Sequence, residues 1–114
     1  MRPHEEQLII LQPVGRVDNT SSAEFQDCLL EALAGGTSDI IIDFAAVDHI
    51  SSGGFRALMT GLKQKPANRR IAVASLNAVV QETFSIARFH EVIPVFRSIA
   101  EAALAWEAPH RQAA

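Results

Sequence analysis

At 114 residues, with 48% hydrophobic and 20% charged residues, the chain is sized for one domain with a real core and is too apolar for a disordered tract. Its 13 acids against 10 bases leave a formal charge of −3, which argues against nucleic acid, since that partner requires a strongly basic patch. The lone Cys28 excludes an internal disulfide and any CxxC metal or redox motif, and without tyrosine no phenol serves as acid, base or phosphate acceptor.

The start, MRPHEEQLII, carries acids where a secretory leader carries positive charge, and no stretch approaches the ~18 apolar residues of a membrane span. The expectation is a soluble, cytoplasmic protein with no direct membrane insertion. Residues 8–11 (LIIL) and 14–17 (VGRV) flank Pro13 and predict a two-strand hairpin. A first helix follows. Ser21 three places before Glu24 is a capping box, Phe25, Cys28, Leu29, Ala32 and Leu33 form its apolar stripe, and Gly35-Gly36 ends it. On this pattern Cys28 belongs to the core.

Ile40-Ile41-Ile42 is apolar on both faces, as in a parallel sheet covered on both sides. A short loop leads to a second helix with Phe55, Leu58, Met59 and Leu62 at i, i+3, i+4 and i+7. Residues 71–74 (IAVA) predict another buried strand, and Asn77 caps a third helix carrying Val80, Phe84 and Ala87 inward. Residues 93–96 are a short extended piece. Ser98 and Glu101 open a last helix that Trp106 pins to the body, and 107–114 read as a frayed tail. The expected fold is one α/β domain over 1–114 with an ordered body at about 7–106: a mixed central sheet of about four to five strands packed against about four helices.

The segment from Asp43 to Gln64 reads DFAAVDHISSGGFRALMTGLKQ. Gly53 and Gly54 in a first helical turn cost up to ~1 kcal/mol each relative to Ala, so some backbone or anion is expected to come close there. A helix N-terminus offers unpaired N–H groups and a positive partial charge that suit a phosphate. The simpler reading makes Ser51 or Ser52 an N-cap and the glycines a tight turn. The pattern is neither a Walker A loop nor a nucleophile elbow. A hydrolase trio of Ser52, His90 and Asp18 can be assembled on paper, but only geometry identifies a triad.

This segment resembles the signature of STAS domains, specifically bacterial anti-sigma factor antagonists. Residues 15–18 (GRVD) resemble the family's Gly-x-(Leu/Val)-Asp, and residues 89–95 (FHEVIPV) its late Leu-x-x-(Leu/Ile)-Phe-Pro-(Val/Ile) piece. The resemblance covers about residues 7–106, with all elements in order. It implies a binding module rather than an enzyme, working without cofactor or metal. Its partner would be an anti-sigma factor that is a serine kinase, with a serine phosphatase to reverse the modification. The implied phosphoacceptor is Ser52, with Ser51 as the alternative; Ser51 stands where the family has Asp. Asp18, Asn19, Ser51, Ser52, Gly53, Gly54 and Arg56 form the implied partner surface, with Arg56 where the family often has a small residue. Asp43 matches the Asp that ends the family's central strand. The competing expectation is a STAS subunit of a transporter-associated or scaffold complex that is not phosphorylated.

The remaining candidates are weaker. His4, His49, His90 and His110 show no metal-ligand spacing. Lys63, Lys65, Arg69 and Arg70 follow the second helix, where cations suit the helix dipole, and read as a solvated basic face.

Overall fold

The computed structural model describes residues 8–35 and 38–113. Its elements are β1 (Leu8–Leu11), β2 (Gly15–Val17), α1 (Ser22–Ala34), β3 (Asp39–Asp43), β4 (Val47–Ile50), α2 (Ser52–Gln64), β5 (Ile71–Ala74), α3 (Ala78–Ile86), a 3₁₀ turn (Phe89–Glu91), β6 (Val95–Phe96) and α4 (Ile99–Ala113). Of the residues singled out above, His4 and Gly36 lie outside the described part, as does the side chain of His110. The last helix continues beyond Trp106, through residues assigned above to the tail.

β3 is the centre of the fold because its three middle side chains are all apolar. Ile40, Ile41 and Ile42 are fully buried, so each face of the strand must be covered. The main sheet has the order β1-β3-β5-β6, and all its pairings are parallel. Ile9, Ile40 and Ile71 lie in register, as do Leu11, Ile42 and Val73. These rows face a core shared with α1, α2 and α3. Ile41 and Ala74 point the other way, to a smaller core closed by Ala102, Ile99, Phe96 and Trp106. Small residues on both sides of that second contact let α4 approach the sheet closely. Trp106 packs edge-on against Phe96 with ring centroids 6.3 Å apart, and the Arg70 guanidinium lies 4.8 Å over the indole.

The expected hairpin is not formed. β1 pairs with β3, whereas β2 pairs with β4 in a separate two-stranded sheet. Pro13 lies in the connection and Gly15 adopts φ +86°, a left-handed conformation that glycine accepts readily. The chain thus passes from one sheet to the other without turning back on itself.

β4 replaces the expected loop. Its polar pair, Asp48 and His49, hides the strand in the sequence, and the pairing supplies what periodicity does not. Gly15 lies opposite Val47, yet Arg16 lies opposite His49 and Val17 opposite Ile50. The one-residue irregularity brings both Val47 and Ile50 into the core, although they are three residues apart.

The caps are only partly as read. Asn77 Oδ1 accepts from the Val80 N–H at 2.8 Å, and its Nδ2 donates to Val47 O at 3.0 Å. One side chain therefore caps α3 and ties it to β4. At α4 the Ser98 Oγ accepts from the Glu101 N–H while the Glu101 carboxylate accepts from the Arg97 N–H. Ser21 makes no side-chain cap, because its hydroxyl is occupied by the loop before the helix. Cys28 is exposed rather than core. The buried stripe of α1 is Phe25, Leu29 and Leu33, and at about 100° per residue Cys28 falls well to one side of it.

Arg69 corrects the basic-face reading most sharply. It is 1% exposed. Its guanidinium donates to Leu33 O at 2.6 Å and Ala32 O at 3.2 Å, and its Nε donates to Ser38 O. It thereby satisfies carbonyls at the end of α1 and places positive charge at the negative end of the helix dipole. Arg70 is held as well: its guanidinium bonds Asp39 at 2.7 and 3.0 Å, and its backbone N–H bonds the same carboxylate.

Removing the Arg69 guanidinium strands these buried carbonyls at about 1–3 kcal/mol apiece, so Arg69→Ala is expected to lower stability by roughly 3 kcal/mol. Arg69→Met, which keeps bulk without donors, should be nearly as damaging. Urea unfolding of the three proteins checks this; a methionine variant as stable as wild type would assign the role to packing.

Candidate functional site

The start of α2 is built by what lies beneath it. β4 ends at Ile50, and Ser51, still extended, donates its N–H to Val17 O at 3.0 Å. The helix begins at Ser52, with the Phe55 N–H bonding Ser51 O at 3.0 Å. The first turn therefore rests directly on the end of β2.

That closeness explains the glycines. A Cβ on Gly54 would lie 2.6 Å from Val17 O and 2.7 Å from Ile50 Cγ1. One on Gly53 would lie 2.3 Å from Asn19 Oδ1 and 3.1 Å from Asn19 Cα. One on Gly61, two turns on, would lie 2.3 Å from Leu29 Cδ2 on α1. Gly53, Gly54 and Gly61 are all buried. The sequence reading, in which Gly53 and Gly54 let a partner backbone or an anion come close, is corrected here: the approach is internal, and the glycines receive the protein's own β2, Asn19 and α1.

With the glycines and Ala57 turned inward, the rotation of α2 is fixed. The aromatic flank confirms it. Phe55 packs on Phe89 and Phe84 at 4.9 and 5.2 Å between centroids, and Phe84 meets Phe44 at 6.0 Å. The side left to solvent carries Ser52, Arg56 and Lys63, all exposed.

The two serines separate cleanly. Ser52 is exposed at the first helical position. Ser51 makes no side-chain cap, and its Oγ is buried without a hydrogen-bond partner. A macromolecule approaching this helix end reaches Ser52 and not the Ser51 hydroxyl.

Asp18 organises the neighbouring loop. Its carboxylate accepts from the Thr20 N–H at 3.0 Å, the Ser21 N–H at 3.2 Å and Arg16 Nε at 3.2 Å. The Ser21 hydroxyl donates to Arg16 O at 2.6 Å and accepts from the Asp18 N–H at 3.1 Å. The Thr20 N–H, then the Arg16 guanidinium, hold the Asp18 carboxyl below its ordinary 3.8. Arg16 and Ser21 were not among the expected site residues. The signal for Arg16 was its i, i+2 spacing from Asp18, which puts both on one side of an extended strand.

Asp18, Asn19, Ser51, Ser52, Gly53 and Gly54 thus meet at one place, with Arg56 one turn further along the exposed side. Asp43 sits apart, where its carboxylate accepts from Gln12 Nε2 and from the Ala45 N–H. The paper triad does not assemble: Asp18 is engaged with Arg16 and the 20–21 amides, and His90 lies 3.9 Å from Glu91. Among the described residues no three His, Cys, Asp or Glu side chains gather to hold a metal, and no helix is long and apolar enough to cross a membrane.

Comparison with known proteins places this architecture. The family model described as the STAS domain matches residues 1–102. BtrV of Bordetella bronchiseptica, a protein named as an anti-sigma factor antagonist, is 27% identical over 94 residues, covering 82% of this chain and 81% of BtrV. The structure of an anti-sigma factor antagonist from Mycobacterium paratuberculosis superposes with a TM-score of 0.82 at 14% identity, covering 88% of this chain and 86% of that one. A sulfate transporter family protein from Wolinella succinogenes superposes with a TM-score of 0.71 at 18% identity, covering 88% and 84%.

Gly54→Ala presses a methyl onto a backbone carbonyl that cannot yield, and should cost about 1–3 kcal/mol in denaturant unfolding. Gly61→Ala meets the Leu29 side chain, at Cδ2 and Cγ, rather than backbone and should cost less; the reverse order would contradict the packing described. Asp18, held low, contributes stability that is present above its ordinary 3.8 and is lost as pH falls through the lower folded value. Asp18→Asn should therefore flatten the acid limb of the pH–stability curve while leaving its shape near neutrality unchanged.

Proposed function

The chain belongs to the STAS domain family, and we propose that it acts as an anti-sigma factor antagonist in a partner-switching pathway. In this reading it binds an anti-sigma factor that is also a serine kinase, and phosphorylation of Ser52 releases it. A serine phosphatase resets the cycle. The protein is then a binding module of the cytoplasm rather than an enzyme, and needs no cofactor. The observation that carries the reading is the contrast between the two serines: Ser52 exposed on a rigid helix start, Ser51 with its hydroxyl buried. The likeness to BtrV supports it.

The mechanism is local. A phosphate on Ser52 adds about −1.5 to −2 charges and three acceptor oxygens at a helix N-terminus, where anions are accommodated, so the fold survives. The partner surface is formed by Ser52 and Arg56 with the Asp18–Asn19 loop beside them; Gly53, Gly54 and the Ser51 backbone support it from below. A partner seated there meets new bulk and a doubly charged group that it must desolvate. Because ~1.4 kcal/mol is already tenfold in affinity, that penalty is sufficient to reverse the interaction. No change elsewhere in the domain is required.

The second reading, a STAS subunit of a transporter-associated complex, draws on the likeness to the Wolinella succinogenes protein. It uses the same surface without phosphate. Incubation with the cognate kinase and ATP, followed by intact-mass measurement, separates the two. Wild type and Ser51→Ala should gain one phosphate and Ser52→Ala none. Unchanged mass for the wild type would favour the second reading. Ser52→Asp should weaken partner binding by about tenfold or more in calorimetry; equal affinities would remove Ser52 from the interface.

A further inference from the structure

Among the described residues, α2 is the one helix with neither an acidic first turn nor a side-chain cap at its N-terminus. α1 has Glu24 in its first turn, α4 has Glu101, and α3 has the Asn77 cap. α2 has no acidic residue in its first turn, no side-chain cap, and the buried Ser51 Oγ without a partner at its threshold. One turn on stands Arg56, exposed, whose guanidinium makes no hydrogen bond or ion pair among the described residues. Arg16, the arginine in the neighbouring Asp18 loop, is by contrast engaged with Asp18.

Ser52 and Arg56 are four residues apart on a helix whose rotation is fixed by the buried glycines, so their Cβ atoms lie about 6 Å apart on one face. A guanidinium presents a planar fork suited to phosphate oxygens. From this geometry we infer that Arg56 is an internal clamp for phosphate on Ser52. The inference rests on the reading of Ser52 as the phosphoacceptor. In the unmodified protein Arg56 is an exposed cation with no partner among the described residues. In the phosphorylated protein it is drawn back along the helix onto the phosphate. Modification therefore changes the surface twice, by adding an anion and by withdrawing the cation that an acidic partner group would use. Arg56 is a positioning residue for the modified state, without any part in transferring the phosphoryl group.

The test uses the full chain with phosphoserine encoded at position 52, so that it does not depend on a kinase. Among the described residues, the charged groups on the elements beneath this helix end are Arg16 and Asp18 on the β2 side and Asp48 and His49 on β4, and all are retained in every variant. Phosphorus NMR titration should place the second phosphate pKa of the Arg56→Ala protein above that of wild type by about 0.3, with Arg56→Lys in between. The Arg56 Nε–H resonance should shift downfield on going from Ser52 to phosphoserine 52. Phosphate titrating alike in all three proteins, together with an unmoved Nε–H signal, would overturn the clamp. Failure of the functional reading is a separate outcome: wild-type chain that takes up no phosphate from the kinase, whatever residue 56 does in the encoded phosphoprotein.

Discussion

The structure depends on how closely α2 can lie against the end of β2. Val17 O accepts the Ser51 N–H on one side and leaves no space for a side chain at position 54 on the other. Glycine satisfies that steric constraint at a loss of up to ~1 kcal/mol of helix propensity per residue. From it follow the rotation of the helix, the side of it that faces solvent and the residues presented there. Loosening the contact would let the helix turn, and Ser52 and Arg56 would no longer share a fixed surface with the Asp18 loop.

The remaining architecture keeps that contact rigid. β3 is buried on both faces, so the sheet is clamped between α4 and the three-helix layer. Arg69 locks the end of α1, the helix on which Gly61 rests, to the chain entering β3 and β5. Phe55, Phe84 and Phe89 hold the flank of α2 opposite α1. These supports come from distant parts of the chain and converge on one helix. A surface held this way can report a local chemical change faithfully, because bulk or charge added at Ser52 cannot be absorbed by a shift of the backbone beneath it.

Much of this was legible in the sequence, and the limits have physical causes. The run Ile40–Ile42 announced a strand buried on both faces, and Asn77 announced a cap, because both signals are local. β4 was hidden because its apolar residues are three apart, and only the irregular pairing with β2 turns both inward. The hairpin was expected because neighbouring strands usually pair, but the connection through Pro13 and a positive-φ Gly15 carries the chain to a second sheet. Arg69 resembled its surface neighbours in the sequence, and only the fold brings the end of α1 to its guanidinium. The glycines were recognised as a site of close approach, yet the identity of the approaching group is a long-range fact. Sequence spacing could place Ser51 and Ser52 side by side, but not bury one hydroxyl and expose the other.

A switch that acts only by adding charge depends on the partner's tolerance and on salt, since exposed charges are screened over about 10 Å. The position of Arg56 gives this surface a second element, opposite in sign to a phosphate, about one turn from the proposed phosphoacceptor Ser52. An acidic group on a partner that pairs with Arg56 would compete directly with the phosphate for the same guanidinium. In the proposed switch, phosphorylation would then replace an intermolecular ion pair by an intramolecular one, whose two ends are already held on one helix. Release would come from competition for a cation as well as from repulsion by an anion. Residue 56, where the resembled family often carries a small side chain, would then set how decisive the proposed switch is, while Ser52 would set where it acts.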